Sequence, residues 1–137
     1  MSYLLDTNAC IALINGVPVA VRSRFEKAIR GEFQIYISSI VAFELWYGIA
    51  KSARIEMNTQ RVEMLLSSPV IALPFENEDS RAAGSIRAAL EAAGRPIGAY
   101  YYLIAGQAMA RQLTLVTANV SEFSRVKGLS WQDWAKP

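Results

Sequence analysis

The sequence YLLDTN at residues 3–8 places a short apolar run directly before an acid, a threonine and an asparagine. An apolar run of this length, ended by polar residues, predicts a buried strand. Asp6 can cap a helix that follows, because a side-chain oxygen at that position accepts a hydrogen bond from the first helical turn. The stretch therefore predicts a strand that feeds directly into a helix.

The same alternation of strand and helix continues along the chain. Further strands are predicted at residues 34–37, 70–73 and 113–117, with a short fifth at 129–131. Helices are predicted at residues 17–30, 40–53, 55–66, 77–93 and 100–111. Strands that alternate with helices in this way are typical of βαβ units and a parallel sheet. We therefore expect one α/β domain over residues 1–137, a three-layer α/β/α fold with a central, mostly parallel sheet.

Composition limits the chemistry that this chain can perform. Of its 137 residues, 53% are hydrophobic and 19% are charged, as in a folded domain. It has no histidine and a single cysteine, Cys10. Ser-His-Asp triads, Cys-His pairs and metal sites rich in histidine or thiolate are therefore excluded. Carboxylates, hydroxyls, amines and hard metal ions remain, and the net charge of +2 is compatible with nucleic acid without arguing for it.

The sequence also favours a cytoplasmic location. No apolar run reaches the roughly 18 to 20 residues that span a bilayer. Residues 1–6 carry no positive region and meet an acid almost at once, which is untypical of a signal peptide. Cys10 has no partner for an internal disulfide, and we expect it to be a small buried apolar side chain.

Polar residues at the ends of strands are the candidates for function, because parallel sheets bind ligands outside the carboxyl ends of their strands. Asp6 is either a helix cap or a site residue. Glu44 shares a helical face with Ile40 and Tyr47, and a buried carboxylate is costly unless it is paired or binds a metal. An ion pair, for example with Lys51, is the alternative for Glu44. Thr117 ends the fourth predicted strand and Asn119 follows it; taken alone, this pattern is more typical of a turn that starts a helix than of a site.

Four blocks of sequence follow one another along the chain. They are YLLDTN at 3–8, SSIVAFELWYG at 38–48, RPIG at 95–98 with LIA at 103–105, and LVTAN at 115–119 with EF at 122–123 and VKGL at 126–129. Together these blocks resemble the PIN domain, and in particular the VapC toxins of type II toxin–antitoxin pairs. The resemblance runs over nearly the whole chain.

The resemblance implies a PIN-like fold and a metal-dependent endoribonuclease toxin that hydrolyses RNA phosphodiester bonds. PIN domains use three or four acids to bind Mg²⁺ or Mn²⁺, which activates a water molecule. By resemblance, Asp6 and Glu44 would bind or position that metal. Asn119 stands where the family carries Asp or Asn, and the Thr117 hydroxyl would support the site.

Tyr101 is the departure from the family pattern. The third block reads Ile-Gly-x-x-Asp in the family, whereas here Ile97 and Gly98 lead to Tyr101. A neutral phenol, with a pKa near about 10, is a poor Mg²⁺ ligand at neutral pH. We therefore expect impaired activity, and neither Glu91 nor Glu122 is expected to substitute. Since Asp and Tyr codons differ by one base, Tyr101 is hypothesised to be an inactivating change, which the native gene sequence would test.

The resemblance also implies partners. The first is a small VapB-type antitoxin that covers the helices around Trp46 and blocks the site. The others are an RNA substrate that could be tRNA, a second copy of the chain in a homodimer, and operator DNA, which is contacted only through the antitoxin.

One alternative function is a catalytically dead, toxin-like binding module that only engages the antitoxin. A receiver-type phosphorylation domain is disfavoured, because the third strand is followed by Pro74 and the fourth by Thr117, where that class needs an acceptor Asp and a Lys.

Overall fold

The computed structural model describes residues 1–136; Pro137, the last residue of the predicted domain, lies outside the described residues. The strands are β1 (Ser2–Leu5), β2 (Gln34–Ser38), β3 (Ile71–Leu73), β4 (Thr114–Val116) and β5 (Trp131–Gln132). The helices are α1 (Thr7–Asn15), α2 (Val19–Arg30), α3 (Ser39–Ala50), α4 (Ile55–Ser67), α5 (Asn77–Ala92), α6 (Ala99–Ala110) and α7 (Val120–Phe123).

The five strands form one sheet in the order β3-β2-β1-β4-β5, and every neighbouring pair is parallel. Helices flank this sheet, so the predicted α/β/α architecture is confirmed. The chain builds outward from β1 through β2 to β3, and then crosses to β4 on the other side of β1. Because the strand order reverses at β1, a crevice opens at its carboxyl end. Asp6 is the first residue after that end.

The core consists of the strands and the helix faces that cover them. Leu4 and Leu5 of β1 are fully buried, as are Ile35 of β2 and Leu115 of β4. Central strands of a parallel sheet are covered on both faces, which explains why these segments are largely apolar. Cys10 is fully buried as well, as expected, and burial raises the pKa of its thiol.

Several element boundaries differ from the predicted ones. The helix predicted from residue 17 begins at Val19, because Pro18 is extended and takes the position before the helix. The last strand is Trp131–Gln132, since these residues pair with Leu115 and Val116 of β4, and it does not start at residue 129. Within residues 1–136, no helix has the length and apolar character needed to cross a membrane.

Helix α6 is held tightly against α5. An added Cβ at Gly106 would lie 2.5 Å from the backbone nitrogen of Ala83, so the two helices meet backbone to backbone. Asp79 of α5 is fully buried and accepts hydrogen bonds from Arg111, just past α6, at 3.1 and 3.2 Å. These contacts fix the helix that carries Tyr101 near its N-terminal end.

Candidate active site

Asp6 lies at the switch point of the sheet and is 6% exposed. Its Oδ1 accepts a hydrogen bond from the backbone N–H of Ala9 at 2.8 Å, so it caps α1 as predicted. Burial raises the pKa of Asp6 to about 6, against the opposing effect of hydrogen bonds from Thr117 and Ala9, and the nearby charge of Glu44 raises it further. On balance, the surroundings of Asp6 therefore disfavour the charged form of its carboxyl group.

Glu44 reaches the same place from α3. Its Oε1 accepts a hydrogen bond from the Thr7 hydroxyl at 2.6 Å. Glu44 is half-buried, so the burial expected from its apolar helical neighbours is only partial. In the part of the chain described, no ion pair involves Glu44. The Lys51 ammonium lies instead over the ring of Tyr47, 4.7 Å from its centre.

A cavity of about 90 Å³ joins the predicted residues. It is lined by Asp6, Thr7, Asn8, Glu44, Tyr101, Ile104 and Phe123. Since a water molecule takes up about 30 Å³ in the liquid, the space suits one ion and a few waters. Asp6, Glu44 and Tyr101 thus meet in one place, although they are far apart in sequence.

Tyr101 forms one wall of this cavity. Its ring packs at a tilt on Phe123, with centres 5.2 Å apart, and it also approaches Gly98, where an added Cβ would lie 3.1 Å from a ring carbon. Burial, followed by the charges of Glu122, Glu44 and Asp6, raises the pKa of the Tyr101 phenol above its ordinary value. The side chain is therefore a neutral phenol at neutral pH, seated where the family pattern has an acid.

Thr117 and Asn119 contribute to the site indirectly, by supporting the residues beside them. The Thr117 hydroxyl hydrogen-bonds Asp6 and also accepts from the backbone N–H of Asn119 at 2.9 Å. The Asn119 side chain does not line the cavity. Its Nδ2 donates to Glu122 Oε2 at 2.9 Å. These two residues hold the loop after β4 in place beside the acids.

Glu122, which is not expected to replace the missing acid, lies beside the site but does not line the cavity. Its Oε1 accepts a hydrogen bond from the backbone N–H of Gly98 at 3.3 Å, which links α7 to the start of α6. Its charge acts on Tyr101 more strongly than that of Glu44 or Asp6. The spacing of three residues from Asn119 is the signal that could have indicated it, because residues three apart share a helical face.

The capacity of this site for a metal is limited. Within residues 1–136, no three side chains among Asp, Glu, His and Cys come together in a group that could hold a metal ion. Asp6 and Glu44 do share the cavity, and Mg²⁺ often binds through one or two carboxylates while it keeps several waters. Burial is the main cause of the raised pKa of Asp6, and the charge of Glu44 adds to it. The donors present thus fit a weakly held hard cation.

The family model of the PIN domain matches residues 3–129. The chain is 38% identical to a tRNA(fMet)-specific endonuclease VapC of Shigella flexneri, over 98% of this chain and 99% of that protein. It is also 38% identical to ribonuclease VapC2 of Rickettsia felis, over 99% of this chain and 100% of that protein.

Solved structures give the same result. VapBC2 from Rickettsia felis, bound to a DNA fragment from their promoter, matches with a TM-score of 0.91 and 36% identity, covering 98% of this chain and 99% of that chain. DNA-bound VapBC from Salmonella typhimurium matches with a TM-score of 0.89 and 38% identity, covering 98% of both chains. The resemblance in the four sequence blocks is thereby confirmed: the chain belongs to the PIN-domain family, as a VapC-type toxin.

Proposed function

We propose that this chain is a metal-dependent endoribonuclease toxin in which Tyr101 impairs cleavage. The observation that carries the proposal is that Asp6, Glu44 and Tyr101 line one cavity at the switch point of the sheet. The substrate is RNA, and the name of the Shigella flexneri relative makes tRNA the first substrate to test.

The residues of the cavity have distinct tasks. Asp6 and Glu44 would hold Mg²⁺ or Mn²⁺, which when bound supplies an activated water and offsets charge on the phosphodiester. The Ala9 N–H and the Thr117 hydroxyl fix the orientation of Asp6. The Thr7 hydroxyl fixes that of Glu44. Rigidly oriented ligands of this kind hold a metal in one geometry.

Tyr101 weakens this arrangement in two ways. It contributes no negative charge, because its pKa lies above the ordinary value of a phenol. Its ring also occupies space that a shorter carboxylate would leave to the ion and its waters. Two acids then perform the work that three perform in the family, so binding of the metal is weak and cleavage is slow.

RNA cleavage by the unsubstituted chain and by Tyr101→Asp tests the proposal. Both are assayed with Mg²⁺ or Mn²⁺ and with EDTA. Tyr100→Asp is the matched control: Tyr100 is the preceding residue of α6, is 44% exposed, and does not line the cavity. We expect Tyr101→Asp alone to cleave strongly and EDTA to stop it. Equal cleavage by the unsubstituted chain and Tyr101→Asp would refute the assigned role of Tyr101.

This chain has a surface that suits an antitoxin partner. A groove of about 250 Å³ lies between α1, α3 and α4, with walls that include Ile11, Leu45 and Val62, and Glu44 lines it as well as the active-site cavity. Trp46 and Tyr47 are exposed on the same helix, α3. An apolar segment of a VapB-type antitoxin in this groove would reach the site and block it, as helix-in-groove contacts do. Contact with operator DNA is assigned to the antitoxin, and a homodimer remains part of the proposal.

A second candidate function is a catalytically dead binding module. It is favoured by Tyr101 and by the lack of a three-acid group within residues 1–136. This candidate predicts tight binding of the antitoxin and no cleavage even after Tyr101→Asp, with the variant fully folded. The cleavage assay therefore separates the two candidates.

A further inference from the structure

A second cavity adjoins the active site on the side of β4 and β5. It encloses about 230 Å³ and lies between the connection from α1 to α2, which contributes Val17, and the C-terminal segment, which contributes Asp133 and Trp134. We propose that this cavity binds one nucleobase of the RNA substrate and that Asp133 selects a base with an amino group. This inference rests on the proposed ribonuclease function.

The position of the cavity suits a base next to the cleaved bond. Asn8 lines both this cavity and the one that holds Asp6 and Glu44. Thr117 lines the new cavity and hydrogen-bonds Asp6. A phosphate at the acids would thus place an adjoining base at the mouth of this cavity.

The size and the lining match the faces of a nucleobase. Pockets for drug-sized ligands measure roughly 300 to 1,000 Å³, so a cavity of about 230 Å³ suits a single base. Buried apolar side chains, Val21 and Trp134, form part of its wall. Val17 is 70% exposed at the edge of this cavity, an apolar surface that a bound base would cover.

Asp133 supplies a polar group for the edge of the base. Its Oδ1 accepts a hydrogen bond from the backbone N–H of Ala135 at 2.9 Å, which fixes the side chain. Its Oδ2 accepts no hydrogen bond from any residue that the structure describes. A carboxylate accepts well from the amino group of cytosine. At the same position uracil presents a carbonyl oxygen, which a carboxylate repels, so the cavity should discriminate against uracil.

Binding of short oligonucleotides tests this inference without requiring cleavage. Fluorescein-labelled oligocytidylate and oligouridylate are titrated with the unsubstituted chain in EDTA, and fluorescence anisotropy is recorded. We expect oligocytidylate to bind about tenfold more tightly, the size of one good side-chain contact to a base. Asp133→Asn should remove the preference, because an amide donates to uracil as readily as it accepts from cytosine.

A pair of valines provides the matched control. Val17 and Val19 are 70% and 71% exposed, but only Val17 lines the cavity. Val17→Asp should weaken binding of oligocytidylate severalfold, whereas Val19→Asp, with the same added charge, should change it little at moderate salt. Circular dichroism establishes that each variant is folded.

The results distinguish failure of the base-binding inference from failure of the proposed RNA substrate. Equal binding of both oligonucleotides, or a preference that survives Asp133→Asn, overturns the inference and leaves RNA as the substrate. Equal weakening by Val17→Asp and Val19→Asp also overturns it, because the effect would then be one of surface charge alone. If neither oligonucleotide binds, the proposed RNA substrate fails together with the cavity.

Discussion

At the scale of single residues, Asp6 serves two roles that compete. It stabilises the fold as the cap of α1, and it brings a buried negative charge close to Glu44. Burial affects the pKa of Asp6 more than the hydrogen bonds that the carboxylate accepts, since this pKa is raised to about 6. Without a cation, a carboxylate in this position lowers stability at neutral pH.

Asp6→Asn tests that conclusion. Because the folded-state pKa of Asp6, about 6, exceeds its unfolded value, the stability that a protonated Asp6 gives the unsubstituted chain is fully present below about pH 4 and is lost as the pH rises through 6. Asn caps a helix about as well as Asp. In EDTA at pH 7.5 we expect the variant to be more stable, by at most about 3 kcal/mol. Urea unfolding at pH 4 and 7.5 measures this, and a gain that is equal at both pH values would contradict it.

Tyr101→Asp should have the opposite effect on stability. The substitution removes the ring that packs on Phe123 and against Gly98, and it adds a third carboxylate to the cavity. In EDTA we expect a loss of about 2 to 4 kcal/mol, within the range for truncation of a large side chain. Mn²⁺ should restore much of it, because a ligand that binds only the folded state stabilises that state. Unfolding curves that Mn²⁺ leaves unchanged would argue against a restored site.

At the scale of the elements, the site depends on how α6 is held. The close approach of Gly106 to Ala83 and the pairing of Asp79 with Arg111 anchor α6 along α5. At the other end of α6, Glu122 accepts a hydrogen bond from Gly98. Anchors at both ends leave residue 101 little freedom to move relative to Asp6 and Glu44.

Gly106→Ala tests the anchor between the helices. A Cβ at residue 106 would lie 2.5 Å from the backbone nitrogen of Ala83, which cannot move aside as a flexible side chain could. We expect a loss of about 2 kcal/mol or more in the free energy of unfolding. Gly84→Ala on α5 is the control, since its Cβ would meet nothing within 4 Å. That substitution should stabilise the helix by up to about 1 kcal/mol, and equal losses for both variants would refute the anchor.

At the scale of the whole molecule, the sequence predicts the parallel sheet and the strand ends at which the acids meet. Apolar strands and helix caps are local signals, so Asp6 is predicted both as a cap and as a candidate site residue. Two features depend on tertiary packing and were not predictable in this way. Glu44 is only half-buried because it borders an open cavity, and Glu122 joins the site through Gly98, a residue distant in sequence.

The most direct test is the affinity of the unsubstituted chain and of Tyr101→Asp for Mn²⁺, measured by calorimetry with Tyr100→Asp as the control. We expect weak binding by the unsubstituted chain through Asp6 and Glu44, and affinity at least about tenfold higher for Tyr101→Asp, the size of change expected when the ligand shell of a metal is altered. Tyr100→Asp should resemble the unsubstituted chain. Equal affinity of all three proteins for Mn²⁺ would contradict the claim that Tyr101 stands in the place of a metal-binding acid.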